Sequence, residues 1–283
     1  VTGSNKGIGF AIVRSLCKKF DGHVYLTARD VGRGENAVKE LEKEGLHPHF
    51  HQLDIEDTKS ITALKDYLVE KYGGLDLLVN NAGIAYKTDS TAPFSEQAEV
   101  TLKCNYWGLL DVCKILFPIL KPHARVVHLS SSLSFMSLAK CSAAKRSQLF
   151  SCQSVDELSH QMNLFVSDVK AGVHQAQGWP DMAYGVSKAG VTLLTPIQQN
   201  TFDKEEPGKD IVVNSCCPGY VATDMSSHMG FKTIDQGAVT PVYLALLPPN
   251  VESPRGEFLS ECQVKALNEE NVINYKTVLD LDM

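Results

Sequence analysis

Apolar residues fall along this chain in two alternating rhythms. Short aliphatic or β-branched runs occur at HVYLTA (23–28), FHQLDI (50–55), LDLLVNN (75–81), ARVVHLSS (124–131), DIVVNSCCPG (210–219) and GEFLS (256–260). Between them, residues 7–20, 31–45, 57–72, 96–120, 182–202 and 233–247 carry apolar positions at helical spacing. The short runs read as strands and the 3.6-residue period as helices. Strand and helix in alternation imply βαβ units, hence a Rossmann-type α/β architecture: a doubly wound parallel sheet with helices on both faces. We expect one domain over residues 1–265 and a tail over 266–283 that either is disordered or folds over the pocket. Ligands of such a sheet lie beyond the carboxyl ends of its strands. The most distinctive stretches all follow a strand, so they should share one edge of the molecule.

Composition narrows the partners. The 283 residues carry a formal charge of −6 with a pI near 5.9, and acids and bases are interspersed. This argues against nucleic acid and against an anionic membrane surface, and for a small molecule. No apolar run approaches the ~18 residues of a membrane span. Eight cysteines show no C-x-x-C spacing, and the adjacent Cys216 and Cys217 are poorly placed to bridge each other. Reduced thiols in a cytoplasmic protein are the expectation, with no metal. The chain opens at Val1-Thr2-Gly3, inside a glycine-rich motif, so the start of the first strand is expected upstream of Val1.

VTGSNKGIG places Gly3, Gly7 and Gly9 between the end of that first strand and a helix beginning near Ile8. Glycines permit a tight turn and let backbone N–H groups approach a pyrophosphate at the positive end of the helix dipole. The second strand ends in LTARD, where an NAD-binding domain carries an acid for the ribose 2′-hydroxyl. Arg29 stands there, and Lys6 sits in the glycine loop. Two cations converging on one spot suit a 2′-phosphate, so NADPH is expected over NADH. Asp30 keeps the alternative open, since a shift of one residue at the strand end would hand it the hydroxyl.

In AYGVSK, Tyr184 and Lys188 stand four positions apart in a helical segment. Residues i and i+4 share a helix face. A phenol has a reference pKa of about 10, and an ammonium beside it favours the phenolate. Three companions follow strands or lie between them: SSS at 130–132, NNAG at 80–83, and Asn105 in the helix between.

With these residues in view, the sequence resembles the short-chain dehydrogenase/reductase family: TGxxxGxG at 2–9, NNAG at 80–83, the helix asparagine, the serine after its strand, YxxxK at 184–188 and PG at 218–219. Within it the chain looks most like the cytosolic, monomeric, NADPH-dependent carbonyl reductases. LTARDVGRG, YGGLD, KPHARVV, GVHQAQGWP, CCPG and TPVYLALLPP carry that match.

The resemblance implies roles. Tyr184 would protonate the substrate oxygen as hydride arrives, Ser131 would hold the carbonyl ahead of Ser130 and Ser132, and Lys188 would lower the tyrosine pKa and bind the nicotinamide ribose. Asn105 would hold a water leading to Lys188. The NADP(H) site would be built from Gly3, Asn5, Lys6, Gly7, Ile8 and Gly9, with Arg29, then Asp54 and Ile55 after the third strand. Asn81, Ala82 and Gly83, Tyr184 and Lys188, and Pro218, Gly219, Val221 and Thr223 would complete it. Leu133, Trp107, Cys217 and Tyr220 would join Ser131 and Tyr184 as the pocket wall, suiting quinones, aromatic aldehydes, ketones and steroid or prostaglandin ketones. Cys217 either borders a glutathione site or, with Cys216, simply packs. The insert at about 138–180, with a helical period over 154–175, would cover the faces through which other members oligomerise, implying a monomer. Finally, Pro196 removes one helical hydrogen bond, so the catalytic helix is expected to end or kink there.

Overall fold

A computed structural model describes residues 1–274; the last part of the tail, 275–283, lies outside the described residues. The strands are β1 (Tyr25–Ala28), β2 (His49–Gln52), β3 (Leu75–Asn80), β4 (Leu120–Leu129), β5 (Val212–Cys217), β6 (Phe258–Ser260) and β7 (Gln263–Val264). The parallel pair β1-β2 and the sheet β3-β4-β5-β6-β7, parallel except for its last pair, lie on either side of residues 1–4. Thr2 N–H donates to Val79 O on one side and Ser4 N–H to Thr27 O on the other. That short segment therefore takes the central place expected for the first strand, and the glycine loop leaves from it.

Helices α1 (Gly7–Lys19), α2 (Val31–Lys43) and α10 (Ile234–Ala245) bury Ile12, Leu16, Leu41 and Val242 against one face of the sheet. On the other face lie α3 (Thr58–Tyr72), α4 (Phe94–Leu102), α5 (Leu109–Leu116) and α9 (Ala183–Glu205). The stretch 96–120, read as one helix, is instead α4 and α5 joined by a π-helical stretch, Lys103–Gly108. Such turns are invisible to periodicity and occur mostly at functional sites. Pro196 does not end α9, which runs on to Glu205. One turn back, Thr195 Oγ1 donates to Val191 O, and the helix is buried on most sides, so packing outweighs the lost backbone bond.

Within the insert are α7 (Ala143–Phe150), not anticipated, and α8 (Val155–Lys170); α6 (Leu133–Lys140) precedes them. Ser154 caps α8 by accepting from Glu157 N–H, and Gly172, at φ +70°, follows its end. Its buried stripe of Leu158, Met162, Phe165 and Val169 joins the cluster that holds Tyr106 of the π stretch and Val191 of α9. Burial of each such side chain contributes roughly 1.5–3 kcal/mol. Gly190 is required there, because a Cβ would meet Met162 Sδ at 2.8 Å. The tail begins by packing onto this insert: Val272 is buried in the same cluster, and Glu269 accepts from Ser147 Oγ.

At the opposite end of the sheet, the buried Arg125 of β4 bonds Asp210 at 3.1 Å and donates to the carbonyls of Asp210, Leu247 and Pro248. Burial pushes the Asp210 carboxyl up, but the Asn250 N–H, His123 and Arg125 outweigh it and hold it at about 2. This hub sets the start of β4 and β5, whose far ends carry the site. Asp210→Asn would leave the guanidinium without its counter-charge, so we expect a loss of about 3–5 kcal/mol in urea unfolding at pH 7. Because the native carboxyl is depressed, that contribution is present above about pH 4 and fades as the pH falls toward 2. A loss below about 1 kcal/mol would show that the hub is not stabilising.

Candidate active site

The carboxyl ends of β1, β3, β4 and β5 bring the predicted stretches to one edge. Asn81 ties two of them together: its Nδ2 donates to Thr2 O and Gly3 O at 2.9 Å, while Thr2 Oγ1 accepts from the N–H groups of Asn81 and Ala82. A Cβ on Gly3 would lie 2.9 Å from Ala82, and one on Gly9 would lie 2.4 Å from Asn81 Nδ2. The glycine loop is therefore compressed onto the β3 loop, and only glycine fits at these two positions. From this loop α1 starts at Gly7 with no side-chain cap and no acid in its first turn. By contrast α2, α3, α7, α8 and α10 are capped by Asp30, Asp57, Ser142, Ser154 and Thr233. Uncapped N–H groups at the positive end of a helix dipole suit a phosphate, so this loop fits the expected dinucleotide.

Lys188, on the second turn of α9, is buried, and its Nζ donates to Leu129 O, the last carbonyl of β4, at 2.7 Å. The same ammonium lies 5.7 Å from the centre of the Tyr184 ring. Ser131, two residues beyond Leu129, is the serine whose hydroxyl favours ionisation of the Tyr184 phenol, while its Oγ accepts from Leu133 N–H at 3.2 Å. Its neighbour Ser130 is spent elsewhere, donating to Lys188 O and bonding Thr192 Oγ1 at 2.6 Å. Ser132 opens α6 without a capping side-chain bond. The three serines thus divide, and only Ser131 reaches the tyrosine.

Two electrostatic expectations change. Burial lowers Lys188 to about 8, so it stays mostly charged at neutral pH while carrying a desolvation cost. Burial first, and then Cys217, raise Tyr184 above the ordinary phenol value, and the Ser131 bond only partly offsets this. Burial outweighs the pull of the nearby Lys188 charge, whose proton-donating contact goes to Leu129 O rather than to the phenol. The tyrosine stands as a protonated acid.

Asn105, in the π stretch, is fixed by its own side-chain hydrogen bonds. Its Oδ1 accepts from Ile84 N–H, and its Nδ2 donates to Ile84 O and Ser187 Oγ. Both amide protons are committed to holding the β3 loop against α9, so the side chain acts as a tie. Gly83 is wedged beside it: a Cβ there would lie 3.2 Å from Asn105 Oδ1 and 3.5 Å from Lys188 Nζ. Behind this group, buried His128 accepts a hydrogen bond from Asn80 Nδ2 on Nδ1 and donates from Nε2 to Gln198 Oε1. Burial lowers its pKa to about 4, keeping it neutral. This β3–β4–α9 network is one that motif reading missed, because a lone histidine in a strand carries no signal of its own.

Around the dinucleotide loop, Arg29 is exposed after β1, whereas Asp30 Oδ1 accepts from Arg33 N–H at 2.8 Å. Asp30 is thus engaged in capping α2. Lys6, expected beside Arg29 at the 2′-phosphate, has its Nζ 2.6 Å from Asp224 Oδ2. After β2, Asp54 Oδ1 accepts from Glu56 N–H, and the buried Ile55 packs where Gly108 leaves room. Beyond β5, Gly219 has φ +84°, and its N–H donates to Cys217 Sγ. Val221 bridges to Lys232, while the Thr223 methyl would lie 3.5 Å from a Cβ on Gly7. Asn5 and Ile8 lie in the glycine loop and the first turn of α1, Ile8 packing toward the core.

The expected pocket wall separates into two groups. Cys217 influences Tyr184 directly, and Leu133 begins α6 beside Gly185, the residue after Tyr184. Tyr220 is half exposed and meets Phe231 edge-on. Trp107, two positions after Asn105, is partly buried; it meets the Tyr106 ring edge-on and packs against the cluster that holds Phe165, Trp179 and Cys217. Cys216 and Cys217 are both buried, facing different clusters on the two sides of β5, as packing residues would. Sequence reading missed Met229 and Phe231, 73% and 81% exposed in the flap after β5; the available signal was apolar residues in an otherwise polar SSHMGF.

A family model described as short chain dehydrogenase matches residues 1–163. The chain is 55% identical over 266 residues to carbonyl reductase (NADPH) 1 of Bos taurus, covering 93% of this chain and 96% of that protein. Identity to the Homo sapiens protein of the same name is 54% over 267 residues, covering 94% and 96%. Among solved structures, salutaridine reductase from Papaver somniferum superposes with a TM-score of 0.79 at 31% identity, covering 90% of this chain and 97% of that one. Menthone neomenthol reductase from Mentha piperita gives 0.74 at 30%, covering 90% and 95%. Among the described residues, no helix is long and apolar enough to cross a membrane. With the family's motifs gathered at one sheet edge and these likenesses spanning nearly all of it, the chain belongs to the short-chain dehydrogenase family.

Proposed function

We propose that this protein reduces carbonyl compounds to alcohols with NADPH, Tyr184 supplying the proton. The observation that carries the proposal is the convergence of Ser131, Tyr184 and Lys188 at the end of β4, beside the uncapped start of α1. Reductases among the relatives support the direction of the reaction.

Bound NADPH supplies the hydride. The chain's own part concerns one oxygen and one proton. Ser131 and Tyr184 are the donors for a carbonyl oxygen and for the charge that develops on it. An alkoxide is a stronger base than a phenolate, so a tyrosine with a raised pKa still releases its proton to it. Lys188, anchored on Leu129 O beside the tyrosine ring, supplies the positive charge that faces the phenolate left behind. Asn105 and Gly83 hold the β3 loop so that this cation keeps its place.

Arg29 beyond β1 favours the 2′-phosphorylated cofactor, and the engagement of Asp30 in capping removes the competing acid. The expected wall residues Leu133, Cys217 and Tyr220 carry no charge, which suits flat apolar carbonyls such as quinones, aromatic aldehydes and ketones, including steroid or prostanoid ketones. Apolar walls discriminate weakly, so a broad range is expected. Since α8 packs over α4 and α9, the usual pairing surfaces are covered, and we expect light scattering to give the mass of one 31.0 kDa chain; a dimer or tetramer would count against this.

The deciding experiment follows nucleotide oxidation with quinones, aromatic aldehydes and ketosteroids, using NADPH and NADH in parallel. The expected result is turnover of several carbonyls with a clear NADPH preference. Tyr184→Phe should lower kcat by about 10²–10⁴-fold while NADPH binding stays nearly intact. A Phe variant with near-normal kcat would remove Tyr184 from the reaction.

A further inference from the structure

Lys6 closes the glycine loop, one residue before α1, and Asp224 lies in the flap that follows β5. Their side chains meet at 2.6 Å although both are more than half exposed. Asp224 opens a short 3₁₀ turn, Asp224–Ser226, whose geometry is fixed by reciprocal bonds between Thr223 and Ser226. The second carboxylate oxygen bonds His228 Nε2 at 3.0 Å. Thus Asp224 is held from both sides by the flap and presented to Lys6, while the Thr223 methyl faces Gly7. Among the described residues, this ion pair ties the flap to the dinucleotide loop.

This matters because of what each group can bind. An ammonium in a glycine loop is the natural partner of a phosphate, and a carboxylate on that ammonium occupies the same donors. Next to a multiply charged phosphate, the carboxylate is also a like charge. Nothing in the fold requires an acid at this position: the turn is built by Thr223 and Ser226, and Val221 holds the flap base through Lys232.

Resting on the reading of Lys6 as a cofactor-phosphate ligand, we propose that Asp224 is the exchange partner of Lys6. Its carboxylate yields the ammonium to the 2′-phosphate when NADP(H) binds and reclaims it when the product nucleotide leaves. Asp224 therefore lowers affinity for 2′-phosphorylated nucleotides and speeds their departure, and it links nucleotide occupancy to release of the flap with its exposed Met229 and Phe231. It acts through Lys6 and is a positioning residue.

Calorimetric binding of 2′,5′-ADP and 5′-AMP to the wild type, Asp224→Asn, Lys6→Gln and the double variant tests this, with thermal melting as the check on folding. Exposed ion pairs shift equilibria by about two- to five-fold, so Asp224→Asn should bind 2′,5′-ADP that much more tightly and leave 5′-AMP unchanged. In the Lys6→Gln background the same change should bring no gain. Steady-state assays should then show KM for NADPH and kcat falling together, as expected when nucleotide release is slowed. If Lys6→Gln weakens 2′,5′-ADP binding but Asp224→Asn does nothing, the exchange is overturned and Lys6 keeps its role. A gain from Asp224→Asn that persists without Lys6 reduces Asp224 to simple repulsion and also overturns it. Should Lys6→Gln bind 2′,5′-ADP normally, both readings fall.

Discussion

The site depends on an ammonium held where water does not reach it. Lys188 is anchored on Leu129 O, and almost every unusual choice nearby follows from the need to keep it there. Gly83 leaves the space beside Nζ, and Asn105 ties the loop carrying Gly83 to α9. Ser130 fixes the backbone of Lys188 itself through its carbonyl. Burying a cation is costly unless it is hydrogen-bonded, and here the residual cost appears as the lowering of Lys188 to about 8. The fold accepts that cost at the one point where a positive charge can stabilise a tyrosinate. Burial keeps Tyr184 protonated beforehand, so donor and cation have separate tasks.

Much of this was legible in the order of residues. Short β-branched runs and helical spacing located six strands and the long helices to within a few positions, because a parallel sheet covered on both faces demands those two periods. The chemistry-bearing stretches were found because they follow strands, and at the edge they share Gly3, Gly9 and Asn81 interlock. What sequence could not give was the direction in which polar groups spend their hydrogen bonds. Asn105 serves as a tie between segments distant in the chain, whereas Asp30 caps the helix that follows it. The π stretch escaped for a related reason: one extra residue in a helical turn leaves the apolar pattern nearly intact while re-aiming Asn105. Helices α6 and α7 lacked a strong stripe, being stabilised by what packs over them.

Two additions to the sheet shape how the site is used. The insert buries its stripe on α4 and α9 and leaves the mouth of the site to the flap after β5. That flap carries apolar side chains into solvent and is moored to the dinucleotide loop by Lys6 and Asp224. Substrate wall and cofactor loop are therefore mechanically joined, whereas the reacting residues sit on the rigid junction of β4 and α9. A stable centre with a movable rim suits an enzyme that must exchange a bulky nucleotide every turnover.

The central claim concerns the charge on Lys188, and the pH dependence of kcat/KM for carbonyl reduction between pH 6 and 10 tests it most directly. With the ammonium required and its pKa lowered by burial, activity should be level in the acidic range and fall with a midpoint near 8, well below the ordinary lysine value. Tyr184 keeps its proton across that interval, so the falling limb belongs to the lysine. A profile that stays level to pH 10 would contradict the account.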